Sequence, residues 1–207
     1  MKHGPRVFAI TLVVATLTGC ATHSSNEAAK PSCCAASEAS ATFTDKSVYQ
    51  TESQWATDHG KYIKLGELVG RPQIVAMFFA NCQFACPIIV NDMKRIEATL
   101  TPELRGRVGF TLVSFDAKWD TPAALAAYRL THALPADNWT LLQGEPDDVL
   151  ELAALLGLKF KEGANGQFAH SNVITILNAQ GEVVHQQIGL NQDIKETVRV
   201  LRQLAAK

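Results

Sequence analysis

The chain has 207 residues, 47% of them hydrophobic, and its 19 basic and 20 acidic residues give a formal net charge of −1. This balance lacks the excess positive charge with which nucleic-acid-binding proteins attract phosphate, so a nucleic-acid role is disfavoured. Residues 42–207 are enough for one domain with a normal hydrophobic core, and we expect that domain to be monomeric.

The first 19 residues have the composition of an export signal. Lys2 and Arg6 precede an apolar run over residues 7–17. The run is too short to span a bilayer, which needs about 20 apolar residues, but it fits a signal, which needs roughly 7 to 15. Cys20 follows in a context that resembles bacterial lipoprotein signals, in which cleavage before the cysteine leaves it carrying lipid. We predict that Cys20 anchors the protein on the periplasmic side of a bacterial membrane, with an ordinary cleaved signal as the alternative. Ala21 leaves both the inner and the outer membrane open.

Residues 20–41 are predicted to be a flexible, lipid-anchored tether. They are mostly Ala, Ser, Glu, Lys, Thr and Asn, with too little apolar surface to fold. A coil of this length reaches about 25 Å on average. Cys33 and Cys34 lie within it, either as exposed thiols without a set partner or as an auxiliary thiol or metal-capture site.

The folded part is predicted to begin with a β-hairpin region over residues 42–68, with a turn at residues 58–61. Residues 74–80 are then continuously apolar, which is typical of a central strand covered on both faces. Cys82 and Cys86 follow at the carboxyl end of this strand, the edge at which open α/β sheets place their sites.

The two cysteines also precede a predicted helix that has Pro87 in its first turn and runs to about Leu100, with residues 82–85 as a loop. The partial positive charge at a helix N-terminus favours thiolate over thiol, and thiolate is the form that attacks disulfides and binds soft metals. Thioredoxin-type oxidoreductases place two residues between their cysteines, whereas three residues let both sulfurs face one ion. The pair predicts redox chemistry, metal binding, or both.

The remaining elements alternate between strand and helix. Asp120 is predicted to cap a helix that begins at Pro122. Other strands are predicted at residues 108–115 and 139–142 and in a hairpin of residues 172–177 with 182–187, and other helices at residues 146–156 and 192–205. This order predicts an α/β, thioredoxin-like fold with an added N-terminal β-hairpin.

A soft metal bound by two thiolates takes a third ligand, and imidazole is a common partner for copper. His170 follows the glycine-rich residues 163–169 and precedes a strand, where a thioredoxin-like fold brings the chain against the cysteine loop. That position normally carries a cis-proline, but no proline occurs after Pro146. His170 is therefore the candidate ligand, with a hydrogen-bonded loop histidine as the alternative. The other histidines are expected to be solvated or locally packed, namely His3, His23, His59, His132 and His185.

Three segments, residues 82–87, 114–122 and 168–171, are similar in content, order and spacing to the Sco/SenC family, and the resemblance covers residues 42–207. Members of that family are membrane-tethered, thioredoxin-fold copper chaperones that help to metallate the dinuclear copper site of cytochrome c oxidase subunit II. The resemblance implies a chaperone rather than an enzyme, with Cu(I) or Cu(II) bound by Cys82, Cys86 and His170. It also implies that the cysteines are redox-active and can form a disulfide.

Two departures from the family pattern leave the client open. Ala169 stands where an acidic residue usually precedes the histidine, and residues 117–119 lack the proline commonly seen between the two aspartates. Asp116 is predicted either to support the ligands by accepting a hydrogen bond or to bind the oxidised metal. Its alternative role is to accept hydrogen bonds from the backbone.

Three other functions compete with copper delivery. An extracytoplasmic thiol–disulfide oxidoreductase would use the same pair, which can cycle between dithiol and disulfide. A peroxiredoxin-like peroxidase is disfavoured, because Val75 and Phe79 stand where the Pro and Thr of that active site would be. A non-catalytic lipoprotein with a structural Cys82–Cys86 disulfide suits an oxidising compartment, although a bridge across so short a loop adds little stability.

Overall fold

The computed structural model describes residues 43–163 and 168–206. The predicted signal and tether, with Cys20, Cys33 and Cys34, lie outside the described residues, as do residues 164–167 of the glycine-rich segment. Within the two described ranges, no helix combines the length and the hydropathy that crossing a bilayer requires.

Strands and helices alternate through most of the described chain. The strands are β1 (Gln54–Thr57), β2 (Tyr62–Lys64), β3 (Gln73–Phe78), β4 (Gly109–Ser114), β5 (Trp139–Gln143), β6 (Phe160–Glu162), β7 (Phe168–His170), β8 (Val173–Leu177) and β9 (Val183–Ile188). The helices are α1 (Ala85–Ala98), the short α2 (Pro102–Arg105), α3 (Pro122–Thr131), α4 (Pro146–Leu155) and α5 (Lys195–Ala205).

A seven-stranded mixed sheet forms the centre of the domain, in the order β2-β1-β5-β4-β3-β8-β9. β3, β4 and β5 are parallel, and the strands outside them pair antiparallel with their neighbours. β6 and β7 form a separate antiparallel ribbon. The α/β architecture is as predicted, and so is the N-terminal hairpin, in which Trp55 pairs with Ile63 and β1 extends the sheet beside β5.

The central strand β3 is buried along its whole length. Ile74 and Phe78 belong to a core that also contains residues of α1, α3 and α5. Val75 and Met77 belong to a second core, formed with α4 and the N-terminal segments. Full burial of one such side chain contributes about 1.5–3 kcal/mol. The continuous apolar run therefore reflects packing on both faces of the sheet, as the sequence predicts.

One predicted loop boundary and one predicted helix cap are wrong. α1 has Pro87 in its first turn, as predicted, but it begins at Ala85, so Ala85 belongs to the helix and residues 79–84 form the loop. α3 is capped by Thr121, whose side chain accepts a hydrogen bond from the Ala124 N–H, and not by Asp120. The carboxylate of Asp120 instead accepts hydrogen bonds from the cysteine loop and from Ser114.

A buried ion pair attaches the N-terminal hairpin to the parallel part of the sheet. Asp58, in the β1–β2 turn, accepts a hydrogen bond of 2.8 Å from Arg129 of α3. Arg129 also donates to the carbonyls of Trp139 and Pro135. Burial, the largest single influence, raises the pKa of Asp58, but the hydrogen bonds and the charge of Arg129 together hold that pKa below its usual value. The Asp58 carboxylate therefore stays ionised inside the fold.

Replacing Arg129 by Met should lower the free energy of unfolding by about 3–5 kcal/mol at neutral pH, because it leaves the Asp58 carboxylate buried without a partner. The folded-state pKa of Asp58 is depressed, so the pair stabilises the fold above the unfolded pKa of about 4 and loses this effect as pH falls through the folded value. Urea unfolding at several pH values measures the difference. Glu67→Gln, which removes an exposed pair with Lys61, is the control and should cost less than about 1 kcal/mol. Equal stability of Arg129→Met and the unaltered chain at pH 7 would contradict the assignment.

Candidate metal centre

Cys82, Cys86 and His170 meet beyond the carboxyl end of β3. One ligand atom from each lies within 4.8 Å of the other two, and Cys86 Sγ is 3.8 Å from His170 Nε2. Both cysteines are free thiols. Among the residues that the structure describes, no second group of three or more His, Cys, Asp or Glu side chains comes close enough to hold a metal ion.

Cys82 lies against the amino end of α1. The N-cap residue of this helix, Phe84, supplies no side-chain hydrogen bond, and the Cys86 N–H points instead at Cys82 Sγ, 3.4 Å away. Burial is the largest influence on the Cys82 pKa and raises it. Hydrogen bonds from the N–H groups of Cys86, Phe84 and Ala85 outweigh that effect, so the pKa lies below its usual value. The free N–H groups of the helix therefore stabilise a thiolate at Cys82.

Cys86 is in a different environment, because it is completely buried. Burial raises its pKa well above the usual value, and a hydrogen bond with the Phe79 backbone offsets only part of that increase. The neighbouring Cys82 and the carboxyl group of Asp120 raise the pKa further. Of the two thiols, Cys82 is therefore the more readily ionised and Cys86 the one that holds its proton.

His170 is the last residue of β7, where it pairs with Phe160 of β6. The sequence predicts a loop up to this residue, and that prediction is wrong because residues 168–170 form a strand. Its Nδ1 lies 3.1 Å from the carbonyl oxygen of Ser171, which can only accept, so Nδ1 carries the hydrogen. The lone pair is then on Nε2, the nitrogen that faces Cys86. A ligating histidine usually has its other ring nitrogen oriented in this way.

Aromatic side chains surround the imidazole and connect the β6–β7 ribbon to the main sheet. The His170 ring lies 5.1 Å from the Phe115 ring and 6.4 Å from the Phe79 ring. Phe160 packs on Phe115 at 4.6 Å, and Phe168 packs on Phe79 at 5.1 Å. These contacts place the histidine by apolar packing, because the ribbon has no strand pairing with the seven-stranded sheet.

The two aspartates near the site both accept backbone hydrogen bonds. Asp116 is buried, and its carboxylate accepts from the N–H groups of Lys118 and Trp119. It does not belong to the group of potential metal ligands. Asp120 is also buried, and its Oδ2 accepts from the Ala80 N–H, 2.8 Å away, and from the Ser114 hydroxyl. Asp120 therefore joins the cysteine loop to the segment that follows β4.

The other described histidines lie apart from this group. His59 is largely exposed beside Asp58, His132 stacks on Tyr128 with ring centroids 4.1 Å apart, and His185 lies 3.0 Å from the Thr197 hydroxyl. His3 and His23 lie outside the described residues.

Sequence reasoning missed the β6–β7 ribbon and the contact between Asp120 and the cysteine loop. A signal for the ribbon was present, since Phe160 and Phe168 flank a glycine-containing connection as in a hairpin. No comparable signal existed for Asp120, because Asp120 and Thr121 both suit a helix cap and only the position of the Ala80 N–H in space distinguishes them.

This arrangement can perform two kinds of chemistry. Two sulfurs and one imidazole nitrogen suit a soft, thiophilic metal ion. The two sulfurs are also close enough that a small side-chain movement would allow a disulfide, which requires about 2.05 Å between them.

The two thiols should react at different rates with iodoacetamide in the reduced, metal-free protein, because only Cys82 combines partial exposure with a stabilised thiolate. We expect Cys82 to be alkylated at least about tenfold faster than Cys86, as measured by mass spectrometry of timed digests. Both thiols should react alike in urea, which is the control. Equal rates in the folded protein would contradict the described environments.

Comparison with known proteins identifies the family that this chain matches. The SCO1/SenC family model matches residues 42–206. A protein from Stutzerimonas stutzeri that is described as copper-binding is 25% identical over 120 residues, which cover 56% of this chain. The chain spans 57% of the length of that relative.

Two solved structures show the same fold. A SCO1/SenC family lipoprotein from Bacillus anthracis superposes with a TM-score of 0.67 and 24% identity, covering 73% of this chain and 92% of that one. Arabidopsis thaliana ScoI with copper bound gives a TM-score of 0.63 and 18% identity, covering 73% and 96%. The predicted thioredoxin-like fold is therefore confirmed.

Proposed function

The chain belongs to the SCO1/SenC family, and on that basis we propose that it is a membrane-tethered copper chaperone. It binds copper through Cys82, Cys86 and His170 and delivers the ion to a client such as cytochrome c oxidase subunit II. The observation that carries this proposal is the convergence of two sulfurs and one imidazole nitrogen within 4.8 Å. Copper is the cargo of this reaction, and the protein supplies its temporary ligands.

The donor set fits copper better than it fits a hard cation. Thiolate and imidazole ligands suit Cu(I) and Cu(II), whereas Mg²⁺ and Ca²⁺ take oxygen ligands. The Asp116 carboxylate accepts two backbone N–H groups, and it fits a role in orienting its loop. The site therefore offers copper a ligand set with two sulfurs and one nitrogen.

The two cysteines have different roles in loading. Cys82 is the partly exposed and more readily ionised thiol, and it makes the first bond to an incoming ion. Cys86 is a buried thiol, so it gives up its proton as it binds. His170 binds through Nε2, which already faces Cys86 while Nδ1 points at the Ser171 carbonyl oxygen. Release is the reverse ligand exchange, in which each bond from copper to the chaperone is replaced by a bond to the client.

Thiol–disulfide reduction of the client is the second candidate function, and the closeness of the two sulfurs, within 4.8 Å of each other, favours it. The Cys82 thiolate would attack a client disulfide, and Cys86 would then release the reduced client by closing the Cys82–Cys86 disulfide. Two electrons and two protons pass from the pair to the client. The disulfide form has lost both thiolate ligands, so this reaction and copper retention exclude each other.

The reduced chain should bind one Cu(I) per molecule. To exclude the tether thiols, the measurement uses the full chain with Cys33→Ser and Cys34→Ser, titrated in detergent against a Cu(I) chelator of known affinity. Cys82→Ser or Cys86→Ser should abolish tight binding. His170→Ala should weaken it by more than the roughly 10- to 100-fold that loss of a ligand's supporting partner costs.

His132→Ala and His185→Ala are matched controls for loss of a histidine and should retain the original affinity. Mild oxidation to the Cys82–Cys86 disulfide should remove two titratable thiols and the copper affinity together. Full affinity in the Cys86→Ser protein would disprove the site. Loss of copper on exposure to client without a change in client thiols supports delivery, and a gain of client thiols without copper transfer supports reduction.

The domain limits and the anchor are further parts of the proposal. Residues 1–19 are the signal, residues 20–41 the tether on lipid-bearing Cys20, and residues 42–207 the copper-binding domain on the periplasmic side of the membrane. The short apolar run and the position of Cys20 after it support this assignment.

Cys20→Ala should abolish labelling of the protein by radioactive fatty acid, because the lipid is attached to that sulfur. Deleting ten residues within 22–32 is the matched control and should preserve labelling, since it leaves Cys20 in place. Labelling of the Cys20→Ala protein would contradict the anchor.

A further inference from the structure

Two large aromatic side chains beside the metal centre are unusually exposed. Phe84 lies between the two cysteines in sequence and is 78% exposed, and Trp119 is 68% exposed. Tyr62, on the outer strand β2, is exposed to 66%, and the other aromatic side chains of the described domain are buried or packed against the core. We call these two residues the aromatic rim.

The two halves of the aromatic rim come from loops that are attached to each other. Phe84 lies in the same loop as Ala80, and the Ala80 N–H donates to the Asp120 carboxylate. Trp119 immediately precedes Asp120 in the chain. The Asp120 N–H in turn donates to the Asp116 carbonyl, which closes the second loop. Because β3 and β4 are parallel, both loops leave the same edge of the sheet. The rim therefore lies on the side of the domain that carries the cysteine pair.

Few charged side chains lie in the two loops that carry the aromatic rim. Residues 80–86 contain no Asp, Glu, Lys, Arg or His. In the second loop Asp116 and Asp120 are buried, and Lys118 is exposed with its Nζ 4.8 Å from the Trp119 ring centroid. The exposed surface of these two loops is thus uncharged apart from Lys118, with the amides of Asn81 and Gln83 in the same loop as Phe84.

The chain enters the domain at the other end of the sheet. The Val48 N–H donates to the Gly181 carbonyl, and the Ser47 hydroxyl donates to the Gln180 carbonyl, in the turn between β8 and β9. β8 pairs antiparallel with β3, and Leu177 lies opposite Gln73, the first residue of β3. The six residues of β3 span about 20 Å. The entry point and the rim are therefore separated by the length of the central strand.

Copper held by the three ligands can leave only by ligand exchange, so the acceptor must approach the side on which the rim lies. Exposed Trp and Phe side chains that become buried at the centre of an interface supply much of its affinity. We propose that Phe84 and Trp119 form the docking surface for a copper-accepting protein. The acceptor presents sulfur or imidazole ligands on an apolar surface, with a carboxylate placed to meet Lys118. This inference rests on the proposed copper delivery.

Copper transfer to the soluble copper-site domain of cytochrome c oxidase subunit II tests the proposal. This soluble domain is mixed with the Cu(I)-loaded full chain in detergent, and the second-order rate constant of copper transfer is measured. The double variant Phe84→Ser, Trp119→Ser should lower that constant at least about tenfold, as expected for loss of two interface anchors. Its copper affinity should be unchanged, because the backbone N–H groups around Cys82 remain.

The matched control is Leu130→Ser, Val183→Ser, which removes two apolar side chains that are 80% and 39% exposed and lie away from the carboxyl end of β3. This variant should transfer copper at the original rate. Removal of copper by a small water-soluble chelator should be equally fast for both double variants. An unchanged transfer rate in the rim variant, or an equal slowing in the control variant, would overturn the docking surface.

A second experiment does not depend on the oxidase probe. A photo-reactive phenylalanine at position 84, introduced into the full chain in its native membranes, should cross-link to a protein whose sequence carries copper ligands. This cross-linked product should disappear when Cys82 and Cys86 are both changed to Ser. The photo-reactive phenylalanine at position 130 should not form that product. Cross-linking to lipid, or the same products from both positions, would overturn the proposal. Failure of transfer to the oxidase domain with successful cross-linking would reject only that client.

Discussion

The parallel pairing of β3 with β4 is the constraint on which the rest of the site depends. Two parallel strands end at the same edge of a sheet, so the cysteine loop after β3 and the aspartate loop after β4 emerge side by side. The buried Asp120 carboxylate then fastens the two loops together through the Ala80 N–H. Without that pairing, the Asp120 carboxylate would not lie beside the loop that carries Cys82.

One helix N-terminus gives the two cysteines unlike properties. The start of α1 directs its free N–H groups at Cys82, and the same turn carries Cys86 into the core. Two equally ionised thiols would repel each other, whereas here ionisation is favoured at Cys82 and disfavoured at Cys86. This asymmetry suits copper delivery and thiol–disulfide reduction alike, because an accessible first ligand is also an accessible nucleophile.

The main elements could be predicted because their sequence patterns report local burial. The apolar run that forms β3 is continuous because both of its faces are packed, and Cys82 and Cys86 follow it directly. His170 was a candidate because of its place before a strand, although its own strand was missed. The role of Asp120 was beyond sequence reasoning, because it depends on which backbone N–H the fold leaves without a partner. The exposure of Phe84 was also unforeseen, since an aromatic residue between two cysteines gives no periodic pattern.

The separate β6–β7 ribbon has a consequence for the thermodynamics of metal binding. Two of the three candidate ligands belong to the main scaffold, while His170 belongs to a ribbon held by aromatic packing on Phe79 and Phe115. The imidazole can leave without breaking any pairing of the central sheet. The apparent affinity for a metal is then the intrinsic affinity multiplied by the fraction of molecules in which the ribbon is docked. Side chains such as Phe160, which offer the ion no ligand, thereby set how tightly it is held.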